Sequence, residues 1–242
     1  MKHIGISTNC AMDMPLERAL TTLEPLTDLV EIQCDAHHSL FHHASVPDKF
    51  DLRYTIHAPT ADGNIAEPLE PVRKASIEVI RETAVIADQI GAEKLVIHPG
   101  FCLEPESRAA SLLSLHKSIP ELGLLQDEFS VRFVMENLGS MEFCFFQTPD
   151  LLPEIRDAGL GLTLDVGHAN LTNTLDAFLK EKPDHMHLHD NHGVWDEHAA
   201  CGTGTVDFSR VLSYAGNATL ILEVLRLEDV MPGLAYLESL GF

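Results

Sequence analysis

Eight short apolar runs, rich in β-forming residues and separated by amphipathic stretches, constrain this chain more than any other feature. They lie at residues 3–7, 28–33, 53–57, 94–98, 131–136, 161–165, 185–189 and 219–224. Runs such as Lys94-Leu95-Val96-Ile97 and Leu220-Ile221-Leu222 are nearly continuous in apolar side chains, as strands buried on both faces require. The segments between them read as helices. Residues 68–90 place Leu69, Val72, Ile77, Ile80, Ala84 and Ile86 at mostly helical spacings, and Gly91 stands where a glycine cap belongs. Similar patterns run over 15–26, 108–125, 149–158, 171–180, 208–215 and 227–240, with the second helix somewhere in 39–50. Alternating strands and helices imply a parallel sheet. Eight of them imply a sheet closed on itself, so the expected fold is α/β, a single-domain (β/α)8 TIM barrel over residues 1–242. The length agrees with the roughly 250 residues that such a barrel uses.

What ends each run carries the chemistry. His57 ends the third, His98 the fourth, Glu136 the fifth, Asp165 the sixth, His187 the seventh and Glu223 the eighth. His168 follows in Asp165-Val166-Gly167-His168, and Asp196-Glu197-His198 follows the seventh run. Active sites of barrel enzymes lie at the C-terminal ends of the strands. Imidazole and carboxylate there suit Zn²⁺, Mn²⁺, Fe²⁺ or Co²⁺. Buried carboxylates without a counter-charge are expensive, and a metal supplies one for Glu136, Asp165 and Glu223. A divalent metal (Zn, Mn, Co or Mg) is therefore the expected cofactor, as one to three ions.

Taken together, these strand-end motifs and the Gly202-Thr203-Gly204…Asp207-Phe208 stretch resemble those of the xylose-isomerase-like TIM barrels. That superfamily groups sugar isomerases and epimerases with the type-IV apurinic endonucleases, and the resemblance covers nearly the whole chain. Its isomerase and epimerase branch implies one metal on Glu136, Asp165, His187 and Glu223, with Glu136 and Glu223 also moving protons. Its endonuclease branch implies two further zincs, one on His57, His98 and a bridging Glu136, the other on His168, Asp196 and His198. All nine positions are filled here.

Other features oppose the endonuclease reading. The family usually carries Gly-Glu-Gly where this chain has Gly202-Thr203-Gly204. Asp and Glu number 37 against 16 Lys and Arg, a net charge of −21, and nucleic-acid binders usually show a basic face. Three zincs, adding +6, would still leave −15 by this arithmetic. Most basic residues fall on helices or near strand starts, including Arg18, Arg73, Lys74, Arg81, Lys94, Arg132, Arg156, Lys180, Lys182 and Arg210. Only Arg226, with Lys49 or Arg108, is expected on the ligand face, where Asp35, Asp62, Glu104, Glu142, Asp190, Glu197 and Asp207 crowd. Affinity for DNA comes largely from neutralising phosphates, so this face should repel a duplex.

Residues near these motifs have plainer readings. His37, His38, His42 and His43 read as a solvated face, and His185 as pointing outward. His189 is kept out of the ligand set as a support for it. Glu31 is a candidate interior contact to substrate, and Asn137 and Asn191 are candidates to orient ligands. Trp195 stands beside Asp196 and reads as loop packing or as a wall over substrate.

The expected activity is therefore a metal-dependent isomerase or epimerase of a sugar or sugar phosphate. A metal would chelate adjacent oxygens and stabilise an enediolate, and Glu136 and Glu223 would exchange protons with its two faces. With no basic pocket, a non-phosphorylated sugar or polyol is the expected substrate. The alternative is a multinuclear zinc phosphoesterase, and a second alternative is a metal-binding barrel without catalysis. Nucleic acid and membrane are not expected partners, and a homo-oligomer is compatible with the sequence. The five cysteines show no CxxC spacing and read as free thiols. With no signal-like apolar stretch at the N-terminus, the expected location is cytoplasmic.

Overall fold

The computed structural model describes residues 4–139 and 141–241. In it β1 (Ile4–Ser7), β2 (Leu29–Gln33), β3 (Arg53–His57), β4 (Lys94–Ile97), β5 (Arg132–Glu136), β6 (Gly161–Asp165), β7 (His185–Leu188) and β8 (Thr219–Leu222) form a closed parallel barrel in chain order. Pairing of Ile4 with Leu220 and of Ile6 with Leu222 closes it. The expected strands agree within a residue or two at each end, and His3 lies outside the described residues. His98 and Glu223 stand one residue beyond β4 and β8.

Helices α1 (Leu16–Leu23), α3 (Glu70–Gln89), α4 (Arg108–Gln126), α5 (Leu152–Asp157), α8 (Phe208–Ser213) and α9 (Val230–Ser239) fall where the sequence predicts them. The second connection is shorter than expected. It contains only α2 (Leu40–His43) between two 3-10 turns, since Pro47 and the His-rich stretch before it do not sustain a longer helix. The helix expected at 171–180 is shorter, α7 (Leu175–Phe178) followed by a 3-10 turn, and a further helix, α6 (Val166–Leu171), precedes it directly after β6. Asp165 itself caps α6, accepting a 2.7 Å hydrogen bond from the His168 backbone N–H. That cap turns the chain at the barrel mouth and sets His168 back over it.

Strand side chains alternate between barrel interior and helix layer. Ile6, Ile32, Ile56, Leu95, Phe133, Leu162, Met186 and Leu222 point outward and join the main apolar core with the helices. The inward set begins apolar, with Leu29, Val96, Val134 and Ile221 buried, and becomes polar towards the C-terminal ends. Barrel interiors are ordinarily filled by branched apolar side chains. Here Glu31, Thr55, Thr163, His185 and His187 replace them, all at 0% exposure. The five cysteines are buried and unpaired. No helix among the described residues is long and apolar enough to cross a membrane.

Candidate metal centre

The nine residues expected at the site meet at the C-terminal mouth of the barrel in three groups, two of which share Glu136. Glu136, Asp165, His187 and Glu223 each offer a ligand atom within 4.8 Å of the others. The same closeness holds for His57, His98 and Glu136, and for His168, Asp196 and His198 together with His189. Glu136 links the first two groups: its Oε2 is 3.0 Å from His57 Nε2 and 3.2 Å from His98 Nε2. In the core group His187 Nδ1 lies 3.3 Å from Glu223 Oε2, 3.5 Å from Glu136 Oε1 and 3.7 Å from Asp165 Oδ2.

The imidazoles are held in fixed orientations. His57 Nδ1 lies 2.9 Å from the Ala58 carbonyl, His168 Nδ1 2.9 Å from that of Asn137 and His198 Nδ1 2.9 Å from that of Glu223. A carbonyl only accepts, so in each ring Nδ1 carries a proton and Nε2 is the atom turned to a carboxylate of the centre, where it would ligate an ion. His198 reaches its position through a left-handed backbone, φ 44°, rather than the extended one that its spacing from Asp196 suggests. Asp165 is braced by His189, whose Nε2 lies 3.0 and 3.1 Å from its two oxygens. The His189 ring lies so close to Gly167 that a side chain there would collide with it.

Charge balance shows what the donor set fits. Glu136, Asp165 and Glu223 are nearly fully buried around a single His187 Nδ1, which has no hydrogen-bond partner. Burial pushes the Glu136 carboxyl up, but the charges of His187 and His98 hold it well below the usual range. Burial likewise opposes protonation of His57, yet the hydrogen bond and charge of Glu136 hold it up to about 9. Burial also works against the His187 proton, and the charges of Glu223, Glu31 and Glu136 raise it well above its ordinary value. Three carboxylates closing on one imidazole nitrogen thus demand positive charge, and the hard oxygen and imidazole set suits a divalent cation.

Above the centre opens a cavity of about 680 Å³. Its lining includes polar Asn9, Gln33 and Thr60, apolar Phe101, Leu138, Phe143, Val194 and Trp195, and Glu136, His168, Asp196 and Glu223 of the centre. No described lysine or arginine lines it. Lys49 pairs with Glu17, Arg226 with Glu228 and Asp229, and Arg108 donates to the Glu142 carbonyl. Trp195 is 60% exposed at the rim, a wall over the cavity rather than loop packing.

Comparison with known proteins gives the lineage. A family model described as xylose isomerase-like TIM barrel matches residues 44–240. The chain belongs to the xylose isomerase-like TIM-barrel family. It is 35% identical over 213 residues to an uncharacterized protein of Methanocaldococcus jannaschii, covering 85% of this chain and 84% of the relative. A crystal structure of a D-tagatose 3-epimerase-like protein superposes with a TM-score of 0.88 at 26% identity, over 99% of this chain and 97% of that one. A Thermus thermophilus protein soaked with ZnCl2 matches in fold with a TM-score of 0.75 at 24% identity, over 98% and 96% of the two chains.

In this family member several residues depart from the sequence reading. His185 faces the interior, with Nε2 2.9 Å from Glu31 Oε2, because it shares strand parity with His187. Glu31 is also interior, but it lies beneath the ligands and does not line the cavity. His38 is buried between Thr8 and the Met14 carbonyl, at 3.0 Å from each, while His37 and His42 are exposed. Asp190 adds nothing to a repelling surface. Its carboxylate accepts backbone N–H bonds from Asn191, Gly202, Gly204 and Val206, pinning the loop that carries Asp196 and His198. Gly204 packs against Asn191 and Asp190 with no room for a side chain. Asn137 and Asn191 are fully buried: Asn137 bonds the Asp165 backbone in both directions, and Asn191 donates to Gly167.

Proposed function

We propose that the protein is a divalent-metal-dependent isomerase or epimerase of a small, non-phosphorylated sugar or polyol. The observation that carries this reading is the convergence of Glu136, Asp165, His187 and Glu223 beneath a cavity that two of them, Glu136 and Glu223, also line. The likeness to a D-tagatose 3-epimerase-like protein supports it. A divalent ion held by these four residues supplies Lewis-acid polarisation of adjacent substrate oxygens. The remaining work falls to side chains. Glu136, held by His57 and His98, removes the proton from the carbon between the oxygenated positions. Glu223 returns a proton to that carbon from the other side, or to its neighbour in an isomerisation. Asn9, Gln33 and Thr60 offer hydrogen bonds to hydroxyl groups, and the absence of a described cation in the lining favours a substrate without phosphate.

The test is proton exchange. The protein, loaded in turn with Mn²⁺, Co²⁺, Zn²⁺ and Mg²⁺, is incubated in D2O with a panel of ketoses, aldoses and polyols. NMR should detect deuterium at the carbon next to the carbonyl, and neither Glu136→Gln nor Glu223→Gln should support it. No exchange across the panel, with turnover of bis-p-nitrophenyl phosphate instead, would replace this reading.

A second reading, a multinuclear zinc phosphoesterase, is favoured by one observation. His168, Asp196 and His198 also converge, and the buried Asp196 Oδ1 has no hydrogen-bond partner. Two imidazoles and a carboxylate make a zinc set with an open position. Three zincs per chain in protein purified without chelator would support it; a single ion supports the isomerase.

A further inference from the structure

His187 is anchored differently from the other pocket imidazoles. His57, His168 and His198 each donate from Nδ1 to a backbone carbonyl and present Nε2. His187 presents Nδ1 to the three core carboxylates and turns Nε2 down into the barrel. There Nε2 lies 2.8 Å from Glu31 Oε1, a carboxylate from β2. Both side chains are fully buried. The two atoms are in contact, and neither makes a hydrogen bond of regular geometry to any group. The other carboxylate oxygen, Oε2, accepts from Thr55 Oγ1 at 2.8 Å and from His185 Nε2 at 2.9 Å.

Two lone pairs at this separation in a dry interior repel, so the contact is stable only with a proton on one of the two atoms. Thr55 and His185 already donate to the carboxylate, which makes Glu31 the acceptor and His187 Nε2 the proton carrier. In the neutral ring, the form that binds an ion, the Nδ1 lone pair then points at the centre. Glu31, His185 and His187 are also close enough to hold an ion by themselves. Their complete burial leaves no entry path, and Oε2 is saturated by its two donors.

We propose that Glu31 is the positioning residue of the metal centre: from the barrel interior it fixes His187 in the Nε2-protonated tautomer and aims Nδ1 at the ion. The proposal rests on the reading of His187 as a ligand. Thr55 and His185 in turn hold the carboxylate in place. An anchoring carboxylate behind a ligating imidazole typically contributes 10- to 100-fold in metal affinity.

Glu31→Gln tests it sharply. The amide oxygen can still accept from Thr55, while its NH2 faces His187 Nε2 and donates, moving the ring proton to Nδ1 and blocking the ligand position. Mn²⁺ and Zn²⁺ affinities, measured by competition with a chromogenic chelator, should weaken by about 10- to 100-fold. The melting temperature of the metal-free variant should stay near that of the wild type. Affinity within twofold of the wild type would overturn the proposal. A second measurement needs no variant at position 31. Long-range ¹H–¹⁵N spectra of metal-free wild type, taken at rising pH until the His187 ring is neutral and assigned through His187→Gln, should show the Nε2–H tautomer; an Nδ1–H tautomer overturns the proposal. Wild type that takes up no divalent ion defeats the proposed function instead, and the tautomer still decides the role of Glu31.

Discussion

His168 and Asp196 are 28 residues apart in the chain, yet His168 Nε2 lies 3.0 Å from Asp196 Oδ2. His198 Nε2 reaches the same oxygen at 3.2 Å. Two imidazoles thus face one carboxylate. Burial opposes the His198 proton, but its hydrogen bond to Asp196 and the charge of Glu223 hold it up to about 9. This group can balance its charge with protons alone, unlike the core group with its three carboxylates.

The first prediction follows from that contrast. Asp196→Ala should keep the metal content of the wild type and lose turnover, because His168, Asp196 and His198 then bind substrate hydroxyls. Metal counting by mass spectrometry beside a kinetic assay checks it. Loss of one equivalent of metal would support the multinuclear reading.

Glu223→Gln removes both a charge from the core group and a proton carrier. It should lower kcat by about 10²- to 10⁴-fold and weaken the ion. Steady-state kinetics at saturating metal separate the two effects. Unchanged kcat under those conditions would remove Glu223 from the chemistry.

Duplex DNA containing an abasic site should not bind at physiological salt, with metal present. Lys49, Arg108 and Arg226 near the mouth are engaged by Glu17, the Glu142 carbonyl and the Glu228–Asp229 pair, and the chain carries −21. Fluorescence anisotropy is the assay. Micromolar affinity accompanied by strand cleavage would contradict the assignment.

Away from the site, Arg73 is 1% exposed on α3 and bonds Glu70, Ser118 and Glu121, tying α3 to α4. Arg73→Ala should destabilise the fold by about 2–3 kcal/mol at neutral pH. Hydrogen bonding to Arg73 lowers the Glu70 carboxyl from 4.5 to about 2 and lowers that of Glu121 as well. Depressed folded-state values give stability that is present above the unfolded value and lost as pH falls through the folded one. The gap between wild type and variant in denaturant melts should therefore narrow from about pH 4.5 towards pH 2. A gap independent of pH would show that packing, not charge, sets the effect.

The strand ends are legible in the sequence because a parallel barrel places its chemistry there, and His57, Glu136 and Asp165 end their strands as the runs indicate. The interior polar layer is harder to read. The pattern around His185 suggests an outward side chain, although residues 185, 187 and 189 share one face, and Glu31 interrupts the apolar run of β2 in a way that strand alternation alone marks as inward. The helix after β6 begins earlier than its apolar pattern indicates, since an Asp cap inside a strand-end motif is easily read only as a ligand. His38 looks like a surface histidine in the sequence, as its partners Thr8 and Met14 lie in the first loop, far away along the chain. The link from Asp190 to the 202–206 backbone likewise depends on tertiary closure and has no local signature.

The central claim is a cation held by Glu136, Asp165, His187 and Glu223. Crystals grown with Mn²⁺, with anomalous data collected at the manganese edge, test it directly. The account predicts one strong anomalous peak enclosed by those four side chains, with His187 bonded through Nδ1. No peak at that position, with density for an ion only at His168, Asp196 and His198, would contradict it.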